Sequence, residues 1–270
     1  MIASAPPPTH PFIKNHVTAP DGTRIAYLAA GVGRPIVMMH GAFTVADEWL
    51  AVADQLACSR RVVIVERRER SGDAPSPPLS VEVQDLSAVI AGVTGDETSR
   101  ARGDVDLFGH SYGATVVTQY AIDTGFRGSL VLYDPASSLA GPLVGNHAVA
   151  MRALSGVGRT SVVRTPNPMH SRLRQHAPHW AQMLASLPSP PRKEEALDGF
   201  APTPEDFQRI QGPTTLLLGE HSGPILRSLT AIWVVRQPGV TVLPLRGQGH
   251  VGYCEAPGLV ADRIEAALKL

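Results

Sequence analysis

The sequence predicts an α/β fold: a mostly parallel sheet with helices on both faces, plus an inserted helical segment. Three observations carry this. Short, unbroken apolar runs such as "PIVMMH" (35–40) and "RVVIVE" (61–66) have the character of strands buried on both faces. Stretches with apolar residues at helical spacing lie between such runs, and alternation of this kind is what parallel strands joined by crossovers require. One interval, 135–211, breaks the rhythm and contains no convincing buried strand.

Taken in order, 12–18 and 23–29 are β-rich runs joined by "APDGT", whose Asp21-Gly22 marks a hairpin turn. After 35–40, the stretch 47–56 places Trp49, Leu50, Val52, Ala53 and Leu56 at helical spacing. The strand 61–66 follows, then a helix over 81–93 with Leu86, Val89, Ile90 and Val93 on one face. "DVDLFG" is a strand, 111–123 a helix, 129–134 a strand, "TTLLLG" a strand, 225–235 a helix, "VTVLPL" a strand and 259–268 the closing helix. The interval after Asp134 is rich in Pro, Arg and His with short amphipathic stretches. So long a piece inside a compact domain is rarely structureless, so it is expected to be a mostly helical cap. The expected division is therefore a core of 1–135 and 212–270 with a cap of 136–211.

Composition narrows the function classes. Lys plus Arg and Asp plus Glu number 24 each, so no net field favours nucleic acid or an anionic membrane. No stretch approaches the roughly 20 apolar residues of a membrane span. Two cysteines, Cys58 and Cys254, are too few for a disulfide framework and suggest a reducing compartment. The opening "MIASAPPPTH" lacks the basic and apolar regions of a secretory signal, so a cytoplasmic protein is expected. The sequence leaves the oligomeric state open.

The motif that carries chemistry is Gly109-x-Ser111-x-Gly113, between a strand and a helix. A serine on such a sharp turn needs small neighbours, because Cβ atoms two residues either side would clash. The turn lifts Oγ clear of the sheet, and the helix N-terminus favours developing negative charge. A serine nucleophile also needs a base. His250, in the Gly-rich loop "PLRGQGHVG" after the last strand, can reach that turn.

In these segments ("MMHGAF", "GHSYGA", "LVLYDP", "LLLGEHS" and "GQGH") the chain resembles the α/β-hydrolase family over nearly its whole length. The resemblance implies a nucleophile at Ser111, a base at His250 and oxyanion-hole donors at the amides of Tyr112 and Ala42, with Phe43 a second candidate. His40 and His110 are expected to support the loops beside the serine. The acid that orients the histidine usually follows the strand "TTLLLG", but Ser222 stands there. Some members carry it after the preceding strand, where "LYDP" resembles their pattern and offers Asp134. Glu220, or no acid at all, are the alternatives.

Other signals are given ordinary roles. "ERRERSGD" (66–73) is expected to be a solvated loop, and Glu255 to start the closing helix. Cys254 is expected to be a packing residue, and His176-x-x-His179 a pair on the cap rather than metal ligands. Phe43, Trp180 and Met183 are candidate substrate contacts. No metal or cofactor is implied. The expected activity is a serine hydrolase that cleaves an ester, thioester or lactone of a small or medium organic molecule through an acyl-enzyme. The alternative is a non-hydrolytic enzyme of the same fold (elimination, cyclisation, C–C cleavage or cofactor-free oxygenation) with His250 as general base. A third is a binding protein without turnover.

Overall fold

The computed structural model describes residues 9–42, 44–68, 77–95, 103–135, 200 and 202–270. Its centre is an eight-stranded sheet in the order β1-β2-β4-β3-β5-β6-β7-β8. The strands are β1 (Ile13–Thr18), β2 (Arg24–Ala30), β3 (Pro35–Met39), β4 (Arg61–Val65), β5 (Asp106–His110), β6 (Leu130–Tyr133), β7 (Thr214–Gly219) and β8 (Thr241–Leu245). β1 pairs antiparallel with β2, and β2 with β4; the other pairs are parallel.

The unbroken apolar runs of the central strands are explained by two cores. Alternate side chains of β3 divide between them: Val37 and Met39 enter one, Ile36 and Met38 the other. The first core is covered by α2 (Leu79–Thr94), α3 (Tyr112–Thr124) and Trp233 of α5 (Pro224–Arg236). The second is covered by α1 (Leu50–Leu56) and α7 (Pro257–Ala267), with the short α6 (Gly252–Glu255) beside them. No helix among the described residues is long and apolar enough to cross a membrane.

Three details differ from the sequence expectation. The helix expected over 47–56 is a 3-10 turn, Ala46–Trp49, followed by α1; Trp49 is thereby buried and stacks on Tyr253 at 4.5 Å between ring centroids. Glu255 does not start the closing helix but ends α6. Pro257 has no N–H and disfavours helical backbone at Ala256, which lies outside the helical region at φ −146°, ψ 63°, so the chain breaks and restarts. Nor is the segment after β4 merely solvated at Arg67 and Arg68. Their guanidinium groups form forked ion pairs with Glu82 and Asp85, which lie three residues apart on one face of α2 and are buried.

Most of the expected cap, 136–199 and 201, lies outside the described residues. At its far end, α4 (Pro204–Phe207) is closed by a Thr203/Asp206 capping box. Phe200, Phe207 and Ile210 enter the first core, and Phe207 packs edge-on against Trp233 at 4.7 Å.

Candidate active site

Strand order places the site. From β3 the chain passes to β4 on one side, then crosses back through α2 to β5 on the other side of β3. The segments leaving the carboxyl ends of β3 and β5 therefore diverge, and such a switch point is where open α/β sheets leave a crevice. Gly41 and Ala42 follow β3 there, and Ser111 follows β5.

Ser111 sits at φ 53°, ψ −120°, between the end of β5 and the first turn of α3. Its N–H donates to Tyr133 O at 3.0 Å. The flanking glycines are required by close approach. A Cβ on Gly109 would lie 2.5 Å from Ala114 Cα, and one on Gly113 would lie 2.6 Å from His40 O. A non-glycine residue held in this backbone region costs on the order of 1–3 kcal/mol. Ser111→Gly and Ser111→Ala both remove Oγ but differ in that cost. Ser111→Gly is expected to be the more stable by about 1 kcal/mol, roughly 3 °C in melting temperature. Equal melting temperatures would show that the turn holds no such strain.

Asp134, directly after β6, is fully buried and also has positive φ, at 43°. Its N–H donates to Leu217 O at 2.9 Å. A buried carboxylate must have its lone pairs engaged. Oδ1 accepts from Gly219 N–H at 3.1 Å; Oδ2 accepts from Ser222 Oγ at 2.5 Å and lies 3.1 Å from His250 Nδ1. Ser222, which stands after β7 where the resemblance implies an acid, thus donates to the carboxylate one strand away. Glu220 is turned elsewhere: it is exposed, and its Oε2 accepts from Gly247 N–H at 2.6 Å. Of the two candidate carboxylates, Asp134 is the one the structure brings to His250.

With Nδ1–H donating to Asp134, neutral His250 keeps Nε2 as its acceptor edge. The imidazole is 21% exposed, so the ring is reachable although its partner is sealed. Two residues clamp its loop. His110, against the His250 ring at 4.5 Å between centroids, donates from Nε2 to His250 O at 2.9 Å. Burial, and next the repulsion that His250 would exert when protonated, hold its pKa well below the usual imidazole value, so it stays neutral. Tyr133 OH donates to Gly249 O and accepts from Gly252 N–H. Burial, reinforced by the Asp134 charge, pushes its phenol well above the usual range, so the donor is retained.

His40 Nδ1 lies 3.0 Å from Gly41 O and His110 donates to His250 O, so each sits against a loop beside the serine, whereas no local signal marks the roles of Tyr133 and Ser222. Ala42 is half-buried beyond β3, and Tyr112 is the buried first residue of α3. Phe43, Trp180, Met183, His176 and His179 lie outside the described residues. Burial and the neighbouring Glu48 push the Cys254 thiol up to about 12, which removes it as a nucleophile near neutral pH. No group of three or more His, Cys, Asp or Glu among the described residues could hold a metal.

No curated protein matches the chain. Among solved structures, it resembles an alpha/beta hydrolase from Sphaerobacter thermophilus (24% identity, TM-score 0.68), with 94% of this chain and 99% of that one covered. It is also similar to naproxen esterase from Bacillus subtilis (18% identity, TM-score 0.70, coverage 96% and 92%). A third likeness is to a thermophilic esterase from Thermogutta terrifontis (21% identity, TM-score 0.67, coverage 96% and 98%). At these identities the likeness is one of fold. The sequence model of the alpha/beta hydrolase family matches residues 36–263, from β3 into α7, and the chain belongs to that family.

Proposed function

We propose that the protein is a serine hydrolase that cleaves an ester, thioester or lactone of a small or medium organic molecule through an acyl-enzyme. The observation that carries this is the buried Asp134 carboxylate 3.1 Å from His250 Nδ1, at the sheet edge where Ser111 stands on its strained turn. That the solved relatives include esterases supports the choice of bond.

In this scheme His250 Nε2 takes the hydroxyl proton as Ser111 Oγ attacks the carbonyl carbon. Asp134 stabilises the imidazolium that forms. The Ala42 and Tyr112 amides hold the oxyanion, where preorganised donors act most strongly. Collapse breaks the carbon–leaving-group bond, and His250 returns the proton to the departing oxygen or sulfur. A water then gives its proton to His250 and attacks the acyl carbon. Release of the acid returns the proton to Ser111. The net change is one bond hydrolysed by one water.

Intact-mass measurement after incubation with a fluorophosphonate tests the scheme. Wild type is expected to take up one adduct and Ser111→Ala none. No adduct on folded wild type would overturn the acyl-enzyme and leave His250 as a general base in non-hydrolytic chemistry.

A further inference from the structure

The scheme above leaves unused a buried cation beside the crevice. The Arg67 side chain is 6% exposed, and its fork closes on Glu82, with Nη2 at 2.7 Å from Oε1 and Nε at 3.0 Å from Oε2. The remaining arm, Nη1, donates to Gly41 O at 3.0 Å. The guanidinium also lies over the Tyr112 ring, 4.6 Å from its centroid. The same carbonyl accepts from Thr44 Oγ at 3.3 Å and lies 3.0 Å from His40 Nδ1. A His40 tautomer protonated on Nδ1 satisfies that contact and leaves Nε2 to face Arg67 N–H at 3.5 Å.

Gly41 C=O and Ala42 N–H belong to one planar trans peptide and point in opposite directions. Whatever fixes the oxygen also aims the N–H. A buried ion pair by itself contributes little net stability. Here the pair presents its third arm to one backbone carbonyl and stacks on the residue whose amide begins α3.

We propose that Arg67, braced by Glu82, is a positioning residue that sets the orientation of the Gly41–Ala42 peptide. Through it, Arg67 sets the first donor of the oxyanion hole; this last step rests on the serine-hydrolase reading above.

Arg67→Met alone would strand Glu82 as an uncompensated buried charge. The principal variant is therefore Arg67→Met/Glu82→Leu. Arg67→Lys, which keeps the charge but not the fork, is the second if the first fails to fold. The chain has two Gly–Ala bonds, Gly41–Ala42 and Gly113–Ala114, so carbonyl-13C glycine with 15N alanine yields two NMR correlations. The Gly41–Ala42 correlation is expected to shift or broaden in the variant, with Gly113–Ala114 reporting an intact helix. Fluorophosphonate labelling is expected to slow about tenfold or more at unchanged apparent affinity. An unmoved Gly41–Ala42 correlation, or labelling at the wild-type rate, overturns the proposal. If wild type itself takes no adduct, the hydrolase reading fails, and the correlation still decides what Arg67 orients.

Discussion

Asp134→Asn is expected to lower the turnover of an activated ester by about 10⁴-fold without unfolding the protein, the loss seen when a triad's orienting acid becomes an amide. Asp134 receives Gly219 N–H on Oδ1 and Ser222 Oγ on Oδ2, and Oδ2 faces His250 Nδ1. An asparagine offers one acceptor oxygen to those groups. If that oxygen stays with Gly219, the amide NH₂ faces His250 and selects the tautomer protonated on Nε2. That tautomer cannot take the serine proton. The negative charge that would stabilise the imidazolium is lost as well. Fold is retained because the substitution preserves shape and removes a buried charge. The measurement is kcat with a p-nitrophenyl ester beside a thermal melt, and Glu220→Gln serves as control. Glu220 is bound to Gly247 N–H at the surface, so its neutralisation is expected to leave kcat within about twofold. The reverse result, with Glu220→Gln inactive and Asp134→Asn active, would assign the acid to Glu220.

Moving the carboxylate is expected to recover part of that loss. Ser222 follows β7 and places Oγ 2.5 Å from the oxygen of Asp134 that faces the imidazole. A carboxylate at 222 starts beside the right atom, on the neighbouring strand. Asp134→Asn/Ser222→Asp is therefore expected to be about 10²-fold faster than Asp134→Asn alone, since orientation returns but without optimised distance. Ser222→Asp alone should instead impair the enzyme. Two carboxylates crowded into one buried site cannot both ionise, and the proton they share competes with His250. A double variant no faster than Asp134→Asn would show that this edge of the sheet accepts the acid after β6 alone.

Much of the fold was legible because it is written locally. Residues 36–39 and 62–65 are apolar without a break because both faces of those strands meet a core. The glycines around Ser111 mark a turn that admits no side chain at either position. Asp134 stood out because it ends a buried strand in the pattern "LYDP". Less legible was whatever depended on distant partners. The arginines of "ERRERSGD" looked like surface charge, although Glu82 and Asp85 stand one helical turn apart some fifteen residues later. The split of 47–56 arises where Trp49 stacks on Tyr253, 204 positions along the chain.

Among the described residues, the sequence by itself determined most of the strands and helices and which of them end in chemically useful residues, since periodicity and turn sterics act within a few residues. Only the tertiary structure decided which carboxylate meets His250, what Ser222 does in place of an acid, and where the third arm of Arg67 goes. Those outcomes follow from strand order and register. Asp134 meets Ser222 at 2.5 Å and His250 at 3.1 Å, across 88 and 116 positions of the chain, and no local pattern encodes those distances.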